Sequence, residues 1–450
     1  MHDGNRLVTY LRMAAFPLGI GVTSVLVNGT LNRVMIVEQG LPASFVGLCF
    51  ALPLLIAPLR VWLGYQSDVR PLWGLRRMPY ILAGTLLSGI GLLVATLLIL
   101  DLTGNTLLLA SGLSLVTGVL LAFLLYGLGR HLASNTFEAL VADTFHGPQR
   151  PRAVTLFKVT MFVGIIGTAI ILGILLDPFS PIRLTTISGS ILVLTLLLTL
   201  LAVLGQERTG QHIEASVAEA RAVSFRETVT TILLPDPRMR RFFLLVMLVI
   251  VGTLAQDILL EPYGGLVLGM TPGETTRLTA LWGVGTVLAM LIAGLKLIQR
   301  IGYLSVLRVG LIVTIVVFGG LIIVGGLQRP IVFQELVFAL GLGTGLSAAG
   351  LLTAVVEQTT AARAGTLMGV WGVAHESGEA LGGLLGGSVV DIVRVLSGHN
   401  NWLAYSTVFA LEGGLLLVAL VLAGRMGGQT RQRNQPQLPT ELQTLQELEV

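Results

Sequence analysis

Apolar residues fill this chain in long runs, separated by short polar or glycine-rich breaks. A helix needs about 20 mostly apolar residues to cross the hydrocarbon of a bilayer, and the runs predict helices over roughly 14–37, 43–63, 79–100, 108–142, 152–176, 184–204, 241–268, 275–298, 304–326, 331–357, 364–394 and 402–424. The fourth and eleventh exceed what one crossing requires, which predicts tilt or extension beyond the hydrocarbon. Little chain is left between the runs except at 205–240, which divides them six and six. The expected organisation is an all-α membrane protein of about twelve transmembrane helices, with one bundle over 1–204, a linker over 205–240, a second bundle over 241–424 and a polar tail over 425–450.

Composition narrows the class. Only 12% of residues are charged and mean hydropathy is +0.85, which places the chain in a bilayer and leaves no room for a separate soluble domain. The formal net charge of +4 alone could suggest a nucleic-acid partner. The basic residues, however, stand at the ends of apolar runs, where anionic lipid is the simpler partner, so no nucleic acid is expected. Alternate connections carry the excess: Arg6, Arg12, Arg70, Arg76, Arg77, Arg150 and Arg152 against little beyond Arg183, Arg277, Arg329 and Arg394. That asymmetry puts both termini in the cytoplasm. The single Cys49 excludes an intrachain disulfide and a cysteine-rich metal site. No cleavable signal is expected, because the first apolar run is too long and lacks a small-residue cleavage pattern.

Between the second and third runs lies Gly64-Tyr-Gln-Ser-Asp68, closing at Gly74-Leu-Arg76-Arg77. This loop resembles the glycine, aspartate and paired-basic signature of the major facilitator superfamily, although Val69 stands where that family has Arg. Gly64 would let two helix ends approach, Asp68 would accept from neighbouring helix N-termini, and Arg76 and Arg77 would face anionic headgroups. A degraded second copy follows the eighth run at 294–302, with Gln299 near the acidic position, as parallel repeats would produce. The linker carries Val217, Phe225, Val229 and Ile232 at spacings that suit a surface helix; a solvated tether is the other reading. Thr440 and Gln443 can cap a last turn in the tail, which reads as a disordered end or a docking segment.

Charge inside a bilayer costs several kcal/mol unless paired or hydrated, so each such residue is a candidate. Asn28, Asn32, Arg33 and Glu38 fall late in the first run. Arg33 suits either an anionic or carbonyl-bearing substrate or a salt bridge to another helix. In the seventh run Gln256, Asp257 and Glu261 precede Pro262 and a glycine pair, which should loosen the helix and free backbone groups. Pairing of Arg33 with Asp257 or Glu261 across the halves would make a gate. His131 and Glu138 lie in the fourth run, and His375, Glu376 and Glu379 lie among glycines in the eleventh. These suit a proton relay or a metal-ligating His, and equally satisfied polar residues beside a cavity. No protein-only metal site, nucleophile constellation or phosphate loop is visible.

The runs Thr30-Leu-Asn-Arg-Val-Met-Ile-Val-Glu38, Gln256-Asp-Ile-Leu-Leu-Glu-Pro-Tyr-Gly-Gly265 and Thr276-Arg-Leu-Thr-Ala-Leu-Trp282 closely resemble PucC-type proteins, the bacteriochlorophyll delivery family of the major facilitator superfamily. The resemblance spans roughly Arg6 to Gly424. It implies a non-enzymatic carrier that hands bacteriochlorophyll to light-harvesting antenna polypeptides, or shepherds those polypeptides, in the inner or intracytoplasmic membrane of a phototrophic bacterium. No cofactor is built in; bacteriochlorophyll is cargo. It also marks Asn32, Arg33, Glu38, Gln256, Asp257, Glu261, Pro262 and Arg277 as substrate-binding or gating residues. His131 falls near a family His, but Leu132-Ala-Ser-Asn-Thr136 departs from the Thr-rich stretch that follows there. A proton-coupled exporter of a small amphiphile is the alternative reading.

Overall fold

A computed structural model describes residues 3–56, 72, 74–101, 112–145, 149–207, 237–357 and 364–433. The linker segment 208–236, Gly64, Asp68 and the tail beyond 433 therefore lie outside the described residues, as does the side chain of Asp257. Twelve helical stretches are described. In the first half they are α1 (Leu7–Glu38, its helix already begun at Asp3), α2 (Ala43–Leu55), α3 (Met78–Asp101), α4 (Gly112–Thr144), α5 (Gln149–Leu175) and α6 (Pro181–Val203). In the second they are α7 (Pro237–Leu254, a 3-10 turn at Ala255–Ile258, then Leu260–Leu268), α8 (Pro272–Ile301), α9 (Tyr303–Leu327), α10 (Pro330–Glu357), α11 (Ala364–Leu396) and α12 (Asn401–Arg433). Nine helices among the described residues are long and apolar enough to cross a membrane, and α2 is a shorter apolar one. The protein is a multi-pass membrane protein.

Local sequence explains where helices stop and start. Gly269 takes a left-handed φ of 68° and ends α7; Thr271, Pro272 and Glu274 then start α8 with a reciprocal capping box. That is three residues earlier than the apolar pattern predicts.

The two halves pack alike. α1 lies on α5 and α6, α2 on α4, and α3 on α4 and α6. With six added to each number the same packings recur: α7 on α11 and α12, α8 on α10, and α9 on α10 and α12. Between halves, α2 meets α11 and α5 meets α8, two contacts that the same exchange interconverts. The apolar core runs through both halves, joining Leu26 and Val34 of α1 to Leu260 and Tyr263 of α7. Lipid is as apolar as leucine, so helix contact here depends on close packing and satisfied polar groups rather than on escape from water.

Candidate functional site

The two halves are bolted together at the end of the bundle that carries Glu38. Pro262 has no N–H, so the carbonyl of Ile258, four residues before it, loses its helical donor. Asn32 of α1 supplies one across the halves, donating from Nδ2 at 2.8 Å. The helix loosens at Ala255–Ile258, before the proline, and not at the glycine pair that follows it, which stays helical. Arg33 donates through Nη2 to the carbonyl of Met270, also at 2.8 Å.

Of the expected pairings across the halves, Arg33 with Asp257 lies outside the described residues, and Arg33 with Glu261 is a longer-range attraction rather than a contact ion pair. Arg33 pairs with Glu38 of its own helix. Val34–Glu38 is a π turn, whose i to i+5 bonding brings residues five apart onto one side. Glu261 instead accepts from Thr279 Oγ1 at 2.7 Å and lies against Gly29, where an added Cβ would stand 2.7 Å from its Oε1. Arg33, Asn32 and Glu261 are all buried.

Two further bolts flank this centre. The first-turn amides of a helix have no partner within it. Those of α2 donate to Asp391 of α11: Ala43 N–H to Oδ1 at 3.0 Å and Ser44 N–H to Oδ2 at 2.7 Å. Gly387 makes this approach possible, since a Cβ there would lie 2.7 Å from the Ala43 carbonyl carbon. On the symmetry-related seam, Asp177 after α5 accepts from Thr271 Oγ1 at the start of α8 at 3.4 Å, a looser counterpart. Arg277 of α8 donates to the Gly173 carbonyl of α5 at 3.1 Å.

Behind the bolts lies a small chamber between the halves, with an accessible volume of about 30 Å³. Its wall includes Asn28, Phe50, Phe123, Tyr126, Arg130 and Glu379, drawn from α1, α2, α4 and α11. The rings of Phe50 and Phe123 stand 5.5 Å apart, centroid to centroid. Arg130 donates to the Tyr126 hydroxyl of its own helix and faces Glu376 and Glu379 of the other half within electrostatic range. Lys158 of α5 faces Glu138, and His375 stands near Lys158, Glu376 and Arg130; its Nδ1 lies 3.9 Å from Glu379. Oppositely charged walls thus face each other across the halves.

His131 does not point into the chamber as a ligand. Its Nε2 lies 2.6 Å from the carbonyl of Pro53, which can only accept, so that nitrogen carries the proton and caps the end of α2. Gln256 is buried and bonds the Thr253 carbonyl of its own helix at 3.1 Å.

At the opposite end the expectation for the arginine pair is also corrected. Arg77 is buried rather than turned to headgroups, and its Nε donates to Asp143 Oδ2 of α4 at 3.1 Å. The carboxylate of Glu207, just past α6, accepts from the backbone N–H groups of Arg76, Arg77 (2.9 Å) and Met78 (3.1 Å), capping α3.

Sequence reasoning passed over Lys158, Glu207, Asp391 and Glu412. Glu412 is 2% exposed in the middle of α12. Two of these were findable: Lys158 and Glu412 are lone ionisable residues within apolar runs, the same signal that picked out Glu379. Asp391 and Glu207 stand at run ends, where an acid is ordinary.

The family model described as PUCC protein matches residues 30–430. Protein PucC of Rhodobacter capsulatus is 34% identical over 431 residues, covering 92% of this chain and 91% of that one. The protein named bacteriochlorophyll synthase 44.5 kDa chain, from the same species, is 31% identical over 429 residues, covering 92% and 94%. Among solved structures a D-xylose-proton symporter matches with a TM-score of 0.68 at 16% identity, over 92% of this chain and 97% of that one. That likeness is one of fold, and the fold is the major facilitator type. By the extent of the family match and of its curated relatives, this chain belongs to the PUCC protein family.

Proposed function

We propose that this protein is a non-enzymatic membrane carrier and assembly factor that takes bacteriochlorophyll into the chamber between its halves and delivers it to light-harvesting antenna polypeptides, or shepherds them. The chamber carries the reading. It lies between the two halves, its wall is largely apolar and aromatic, a few polar groups converge on it, and parting of the halves would widen it to admit cargo. Phe50 and Phe123 offer aromatic surface on which a flat apolar macrocycle could stack once the halves part. The family and a relative whose name includes bacteriochlorophyll support the choice of cargo.

The basic connections orient the protein with both termini in the cytoplasm of a bacterial inner or intracytoplasmic membrane. The bolted end is then extracytoplasmic, and cargo reaches the chamber from the cytoplasmic side. In this reading Asn32, Arg33 and Glu261 hold the seal, while Asn28, Tyr126 and Arg130 face cargo. Gently purified protein from a pigmented host should carry chlorin absorption at near one pigment per chain, reduced several-fold in Phe50→Ala/Phe123→Ala. Pigment-free protein whose loss leaves antenna assembly intact would end the proposal.

The charged walls favour a second reading, proton-coupled export of a smaller amphiphile. It requires that purified, pigment-free protein move a dye with a proton gradient and that Glu379→Gln abolish the movement.

A further inference from the structure

We infer that the first half holds ordered water in a crevice of its own, separate from the chamber between the halves, and that this water solvates Arg130. The crevice lies among α1, α3, α4 and α6 and has an accessible volume of about 30 Å³. One water needs about 10–15 Å³ by that measure, so about two fit. An apolar cavity of this size stays dry, whereas one lined by polar groups retains water. Seven serine and threonine side chains line this one, Ser88 and Ser188 among them.

Hydrogen-bond directions set what the crevice accepts. Thr23, Thr85, Thr195 and Thr199 each donate their single hydroxyl proton to a carbonyl of their own helix, at 3.0, 2.9, 2.8 and 2.7 Å. What these hydroxyls still offer is lone pairs, so that part of the wall accepts and does not donate. Among the described residues of the wall Arg130 is the one charged group, and a guanidinium donates only. It spends one donor on the Tyr126 hydroxyl. Water completes such an arrangement, because it accepts from the guanidinium and donates to two hydroxyl oxygens. Tyr126 and Arg130 line the chamber as well as the crevice, so the solvated guanidinium stands where the two spaces meet, facing Glu376 and Glu379. Charge at this depth needs pairing or hydration, and the crevice supplies hydration from within one half.

The test is X-ray hydroxyl-radical footprinting of the full-length protein in nanodiscs, in isotopically labelled water and read by mass spectrometry. Radicals form where water is held and mark the side chains beside it. Phe16 and Leu192 line the crevice, and Phe318, stacked on Phe409 in the apolar core of the second half, is the dry reference; Phe16 is 4% exposed and Phe318 1%. Wild type should label Phe16 and Leu192 several-fold faster than Phe318. Thr195→Val with Thr199→Val keeps the shape of the wall and removes two acceptors, and should cut labelling at Phe16 and Leu192 several-fold while Phe123, on the chamber wall, keeps its rate. Thr85→Val with Ser188→Ala is a second pair with the same expectation, so that one misfolded protein does not decide the matter; thermal melting identifies the folded variants. Arg130→Met should also lower labelling at Phe16. Phe16 labelled no faster than Phe318 in wild type, or labelling unchanged in a folded pair, overturns the inference. An equal fall at Phe123 overturns the separateness of the crevice, and unchanged Phe16 labelling in folded Arg130→Met overturns the link to Arg130. None of these outcomes bears on the choice of cargo.

Discussion

Replacing Asp391 with alanine removes the acceptor for two amides that have no helical partner, and its effect can be worked from the geometry. Ala43 and Ser44 donate to the two carboxylate oxygens at 3.0 and 2.7 Å, at the positive end of α2. A hydrogen bond to a charged group contributes about 1.5–3 kcal/mol. Asp391 is half-buried, so water recovers part of the loss, and about 2 kcal/mol for the pair is a fair figure. That corresponds to about a 30-fold rise in the fraction of time the seam between α2 and α11 is open. Hydrogen exchange read by mass spectrometry on a peptide covering 40–50, in nanodiscs, should show protection at the start of α2 falling by about that factor. Asp391→Asn keeps one acceptor and should fall between. Unchanged exchange at 43–47 in Asp391→Ala would refute the claim that this carboxylate bolts the halves together.

Other substitutions probe the remaining contacts. Asn32→Leu orphans the Ile258 carbonyl inside the bundle and should lower stability by about 1–3 kcal/mol, seen as a drop in the thermal melting temperature; an unchanged melt would deny the proline-to-asparagine link. Thr279→Val removes the hydroxyl that donates to buried Glu261 and should lower stability by about 1 kcal/mol, read as a lower thermal melting temperature, with Thr279→Ser keeping most of it. Gly387→Val places a side chain into the α2 backbone and should prevent the closed seam, measurable as accelerated proteolysis or exchange on both helices. Glu207→Ala uncaps α3 and should cost about 1 kcal/mol, with an effect confined to the Arg76 end.

The membrane helices and their division into two sets could be read from the apolar pattern, because a bilayer imposes length and apolarity on whatever crosses it. The intramembrane polar residues were also legible, since Asn32, Arg33 and Glu261 are anomalous in such runs. Their partners were not. Spacing on an ideal helix sets Glu38 on a different side from Arg33, and only the π turn at Val34–Glu38 brings the two together. Pro262 announced a freed carbonyl, but which residue of the other half would take it depends on how the halves meet. The capping box at Thr271 and Glu274 was fully written in the sequence and marks the start of α8 better than hydropathy does. Asp391 and Glu207 carried no local signal, because their work is done on amides far away in the chain.

The central claim, that the chamber between the halves holds the pigment, is tested most directly by photo-crosslinking from within it. A benzophenone amino acid at Phe123, which lines the chamber, is compared with one at Leu121, two residues away and 58% exposed on the helix exterior. After illumination with bacteriochlorophyll present, mass spectrometry of the α4 peptide should find a pigment adduct at 123 and none at 121. Equal adducts at both positions, or an adduct at 121 alone, would place the pigment on the lipid-facing surface and contradict the account.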